Sequence, residues 1–138
     1  MLSEADARAL IGRCLVIESA KAAGLLVATP QGGAGEGRLL VASPESRADG
    51  SLIARRVRVR VLEGHEPTQR LASPAHEAGE WLAVVDWDRA AVDAEDSIYL
   101  FPPSVLEHIR PWRHPECLAS ARRWAAMVQR ASDTEAGG

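Results

Sequence analysis

From Arg56 to Val61 the chain alternates strictly between arginine and valine, inside a longer run from Ile53 to Leu62. A period of two belongs to a β-strand, whose successive side chains point to opposite faces. Val57, Val59 and Val61 therefore share one side, and Arg56, Arg58 and Arg60 share the other. The valine side has to be covered, because each buried β-branched side chain is worth about 1.5–3 kcal/mol. The arginine side has to meet water, acids or an anion, since an unpaired guanidinium is costly to bury. A chain built around such a strand needs a sheet with one apolar face and something to lay across it.

The rest of the sequence supplies both. Ser3-Glu4-Ala5-Asp6 has the form of a helix N-cap, and a helix from Glu4 to Ala23 follows, ended by Gly24. Leu10, Cys14 and Ile17 make one apolar stripe on it, so Cys14 is expected in the core and Glu18 on the flank. Leu25–Thr29 reads as a first strand and Arg38–Ala42 as a second. Between them lies a glycine-rich turn, Pro30–Gly37. A phosphate-binding loop would need a helix directly after it, whereas Arg38-Leu39-Leu40-Val41-Ala42 is a strand. Asp49-Gly50 marks a tight turn, so the second and third strands form an antiparallel hairpin.

Residues 63–79 are polar, with Pro67 and Pro74 and one short helix expected at Gln69–Leu71. Trp81–Val85 is continuously apolar, as in a central strand buried on both faces. By parity Trp81 and Trp87 would share a face. The run ends in Asp86-Trp87-Asp88, and the acidic connection Arg89 to Asp96 leads to a fifth strand, Ile98–Phe101. A short helix from Ser104 to Ile109 is expected next, then a last helix opened by Pro115. That helix carries Leu118, Ala121, Ala125 and Val128 on its apolar stripe, with Trp124 beside it. The expected architecture is a single α/β domain over residues 1–130, with a five-stranded mixed sheet, an N-terminal helix and C-terminal helices. Residues 131–138 read as a disordered tail.

With 138 residues, 46% hydrophobic and 25% charged, the composition is that of an ordinary globular domain. The formal net charge of −3 carries no global signal for nucleic acid. Of 16 basic residues only Lys21 is a lysine, a bias that either guanidinium chemistry or a GC-rich coding sequence produces. Cys14 and Cys117 make neither a disulfide framework nor a zinc-ligand spacing. The N-terminal stretch is broken by Arg13 and Glu18 and has no signal-peptide form, so a cytoplasmic protein is expected. No apolar run reaches the length of a membrane span.

The succession helix, three strands, polar connection, two strands, helix resembles the restriction-endonuclease-like (PD-(D/E)XK) nucleases, in particular their Holliday-junction and intron-endonuclease branch. The places are taken by Arg38-Leu39-Leu40-Val41, Val57-Arg58-Val59-Arg60, Trp81–Asp86 and Ile98-Tyr99-Leu100-Phe101-Pro102-Pro103. The resemblance covers residues 4–109 and lies in pattern. It implies a metal-binding Asp where Arg38 stands, a second acid where Arg58 stands and a catalytic Lys where Arg60 stands. Glu18, at the position of a helix glutamate in many members, is the one residual acid. Magnesium needs oxygen ligands, and three guanidiniums offer none. The resemblance therefore implies a domain without a hydrolytic centre, and no cofactor or metal is expected.

Two readings of Arg38, Arg56, Arg58 and Arg60 follow from the sequence. They form an anion or nucleic-acid site, or they are solvated and paired with acids such as Glu18, Glu36 and Glu45. His65, His76 and Asp86 have no metal-ligand spacing, and His114 and Cys117 are separated by Pro115. Trp112 and Arg113, with Arg122, Arg123 and Trp124, have the composition of an interface, complementary to the acidic Asp86–Asp96 band. The function expected first is a catalytically inactive nuclease-like domain serving as a protein-binding or assembly module, as a homodimer or with another protein. A nucleic-acid-binding protein using the arginine face stands second, and an active nuclease with a relocated site third.

Overall fold

In a computed structural model we describe residues 3–29, 37–46, 49–62, 79–102, 119–120 and 122–128. The chain opens with α1 (Glu4–Ala22), whose N-cap is Ser3, its hydroxyl accepting from the Asp6 amide at 3.1 Å. Gly24, with φ +85°, follows the helix and takes the left-handed position expected of it. Then come β1 (Leu26–Ala28), β2 (Arg38–Ser46), β3 (Leu52–Leu62) and β4 (Trp81–Asp86). A one-turn helix α2 (Trp87–Ala90), a 3₁₀ turn (Glu95–Ser97) and β5 (Ile98–Phe101) follow. Residues 122–128 form a C-terminal helix, α3. The strands make one sheet in the order β1-β2-β3-β4-β5, with β3 and β4 parallel and every other pair antiparallel. The architecture is the expected α/β domain, with a mixed five-stranded sheet, an N-terminal helix and a C-terminal helix.

The alternation of the arginine–valine run sets the two faces. Val57 pairs with Leu39 on one side and Trp81 on the other, and Val59 pairs with Ala83. These residues, with Val41, Val85, Ile98 and Leu100, pack under α1 and α3 as one core. Every residue of β4 is buried, so this strand is covered on both faces. Leu62, Leu82, Val84 and Phe101 supply its second side.

Four expectations change. The buried stripe of α1 is Gly12, Val16 and Ala20, while Cys14 is exposed. Apolar residues at 10, 11, 14, 15, 16 and 17 circle the helix almost completely, so periodicity does not choose a face. Packing does, because Gly12 lies so close to Val61 that a Cβ there would collide with its Cγ2. Strand β2 continues past Ala42 to Ser46, through a register shift, and shortens the turn; Asp49 then turns the chain by accepting from the Ser51 amide at 3.0 Å. Trp87 does not share a strand face with Trp81. Asp86 ends β4 by accepting from the Arg89 amide, and Trp87 opens α2, where Arg8 lies 5.6 Å from its ring centroid. On α3 the buried side is Trp124, Met127 and Val128, whereas Ala125 is exposed.

The glycine-rich turn, the helices expected at Gln69–Leu71 and Ser104–Ile109, and the tail lie outside the described residues. So do His65, His76, Trp112, Arg113, His114, Cys117 and Leu118. Among the described residues no helix is long and apolar enough to cross a membrane.

Candidate anion site on the arginine face

The second face of the sheet carries the candidate site. Gly37 starts it, with φ +71° and its carbonyl accepting from the Val59 amide. A Cβ at Gly37 would stand 3.1 Å from the Val59 carbonyl oxygen, so the close approach of the two strands needs a glycine here. Strand β2 therefore begins at Arg38, directly across from Arg58. Arg56 stands across from Leu40, and Arg60 lies beside Val84 of β4. Strand parity places Arg38, Arg56, Arg58 and Arg60 on one face, away from α1 and α3.

The acid that meets them is not among those expected. Arg38 Nε donates to Glu80 Oε2 at 2.9 Å, and Glu80 is 1% exposed. Glu80 precedes β4 by one residue, and the parallel pairing of Trp81 with Val57 brings it to the arginine side. Its parity with Leu82 and Val84 was legible in the sequence. The strand register that sets it beside the arginines was not. Glu18 is elsewhere: it lies on α1, over the valine face, and lines a cavity of about 510 Å³ with Glu95, Asp96, Leu15, Ile98 and Ser120. It cannot pair with arginines on the opposite face. Glu45 is exposed on β2, and Glu36 lies outside the described residues.

Among the described residues, Arg38, Arg58 and Arg60 bring three positive charges to the buried Glu80 carboxylate, which Arg38 engages. Burial first, then the Arg60 and Arg38 guanidiniums, push Arg58 below its ordinary value, and Glu80 only partly opposes this. Arginine does not lose its proton in a protein, so the result is a charge held at a cost. The sign follows from linkage. A group bound less tightly by its proton in the folded state destabilises that state at every pH below its folded pKa, and relief comes only as pH rises far above neutral. Arg58→Gln is therefore expected to raise the melting temperature slightly, since solvent screening keeps the effect small, and evenly between pH 5 and 8. A fall in melting temperature on this substitution would mean that the attraction of Glu80 outweighs burial and the neighbouring guanidiniums.

No family model, curated protein or solved structure matches this chain. Its chemistry has to be read from the site itself. A divalent metal would need oxygen ligands, and among the described residues the carboxylate placed beside the arginines, that of Glu80, is held by Arg38. What the site suits is an anion: guanidinium forks match carboxylates and phosphates in plane and in charge.

The arginines also have apolar neighbours on the same face. Leu26, Leu40 and Leu52 are 49%, 36% and 49% exposed. Leu26 pairs with Ala42, Ala42 with Ala54, and Ala28 with Leu40. Together they make an apolar patch continuous with the arginine row. The expected interface at the C-terminal helix needs correcting in one place. Trp124 is fully buried, and its indole Nε1 donates to Ser19 Oγ at 2.8 Å, so it offers nothing to a partner. Arg122 is exposed and Arg123 partly so.

Proposed function

We propose that this chain is a nuclease-like domain without a hydrolytic centre, acting as a protein-binding or assembly module through the arginine face. The nuclease resemblance is supported by the element order: helix, three antiparallel strands, a parallel strand, a fifth strand and a helix. The loss of its hydrolytic centre is supported by Arg38, Arg58 and Arg60 standing together where acids and a lysine would be needed. Guanidiniums repel a metal ion and supply no base to activate water.

One observation carries the choice of a protein over a nucleic acid: exposed leucines, Leu26, Leu40 and Leu52, adjoin the arginines on the same sheet face. A phosphate backbone uses arginines and has no use for Leu26, Leu40 and Leu52. An acidic protein segment with apolar side chains uses both halves. The net charge of −3 also opposes long-range attraction of nucleic acid.

The test is a titration of isotope-labelled protein with a short peptide of alternating glutamate and leucine, and separately with duplex DNA. The peptide is expected to shift the amides of Arg58, Arg60 and Leu40, and the Arg58→Glu/Arg60→Glu variant to abolish this. Duplex DNA is expected not to bind. A DNA affinity with a log–log salt slope near −3, about 0.9 for each of three phosphate contacts, would hand the face to nucleic acid. Magnesium and manganese are expected to promote no nicking and no rise in melting temperature. Metal-dependent nicking that disappears in Glu80→Ala would overturn the reading.

A further inference from the structure

We infer that the partner of the arginine–leucine face is a second copy of this chain, docking the acidic turn between Asp88 and Asp96. This inference rests on the binding-face reading above and names its occupant. The turn offers the complement of the face. Val92, at 80% exposure, is the most exposed large hydrophobic among the described residues, and Asp93, Glu95 and Asp96 follow it closely. An apolar tip beside several carboxylates meets a leucine patch beside several guanidiniums.

Leu40 lies across from Arg56 and Arg38 across from Arg58, so on the face a leucine and the Arg58 guanidinium are diagonal neighbours about 7–8 Å apart. The turn is also preformed. The Val92 and Asp93 amides donate to the Arg89 carbonyl at 3.0 and 2.8 Å. Asp93 Oδ1 accepts from the Asp96 amide at 3.3 Å, and Ser97 Oγ donates to the Ala94 carbonyl at 2.7 Å. Docking such a turn loses little conformational entropy.

The turn does not reach the face of its own chain. Trp87, at the start of the turn, packs against Arg8 of α1, on the side of the sheet opposite the arginines. The contact is therefore intermolecular and pairs unlike surfaces, with each chain offering both halves. A turn of nine residues buries less than a standard interface, so the association is weak and sensitive to salt.

Charge exchange tests it. Sedimentation of the wild type is expected to show a mass that rises with concentration at low salt and falls back toward monomer at high salt. Arg58→Glu/Arg60→Glu reverses the face, and Glu95→Arg/Asp96→Arg reverses the turn. Each variant alone is expected to weaken association by roughly tenfold or more, because like charges then meet. Mixing the two variants is expected to restore it, since every cross-contact is again between opposite charges. Val92→Asp tests the same contact without touching the face, should the face variant fail to fold. Wild type that stays monomeric at the highest soluble concentration overturns the inference, as does association that both reversals leave intact. A monomeric protein whose face still binds the acidic peptide removes the second copy and keeps the binding face. A face that binds neither removes both.

Discussion

Glu80→Ala is expected to destabilise the protein by about 2–4 kcal/mol and to lower its melting temperature by roughly 10 °C. The carboxylate is almost wholly buried and accepts from Arg38 Nε at 2.9 Å. Removing one partner of a buried pair leaves the other charge uncompensated, and that penalty exceeds the net worth of the pair itself. Arg58 on the same face is also attracted by Glu80 and loses that attraction as well. Arg38 keeps some exposure and can turn part of its guanidinium toward water, which holds the estimate to the lower part of the range for buried pairs. Glu80→Gln keeps an acceptor for Arg38 and is expected to lose roughly half as much. Urea denaturation of the three proteins, with unchanged m-values, measures this directly. A loss below about 0.5 kcal/mol for Glu80→Ala would show that water, not Glu80, balances the arginines. Two members of one cluster should thus give opposite signs: the acid stabilises the fold, and Arg58 is carried at a cost to it. Groups retained at a cost to stability are typical of binding surfaces.

Much of the fold was legible because local signals agreed with one another. The alternation at 56–61 defined β3 and its faces, the Ser3 cap and Gly24 bounded α1, and the apolar run at 81–85 marked a strand covered on both sides. What was not legible depended on contacts distant in sequence. The face of α1 is chosen by the fit of Gly12 against Val61, which no periodicity reveals. Glu80 reaches the arginines only because β4 runs parallel to β3 in one register, 42 residues away from Arg38. Proximity in the chain instead pointed to Glu36 and Glu45, and helix position pointed to Glu18. The arginines themselves were found by parity alone, since side-chain alternation is a local property. Trp87 was misplaced for a related reason: parity holds only while the strand continues, and Asp86 stops it by capping the next turn.

Trp124→Ala is expected to cost about 3–5 kcal/mol, since a fully buried tryptophan leaves both a cavity and an unpaired hydroxyl at Ser19. The side chain belongs to the core cluster that includes Ile98, Leu100 and Met127, and it joins α3 to α1 across 105 residues of sequence. Close by, the Ala119 amide donates to the Ile98 carbonyl at 2.7 Å, tying the segment before α3 to the start of β5. Trp124→Phe keeps most of the apolar contact and gives up the indole donor, so about 1–2 kcal/mol is expected. If the hydrogen bond carries that difference, Ser19→Ala and Trp124→Phe should be less than additive, with a coupling of roughly 0.5–1.5 kcal/mol in a double-mutant cycle. An interface tryptophan would behave in the opposite way: Trp124→Ala would leave the unfolding midpoint unchanged and abolish association. The experiment therefore separates the two roles by which quantity moves. A large loss of stability assigns Trp124 to the core and takes it out of the candidate interface.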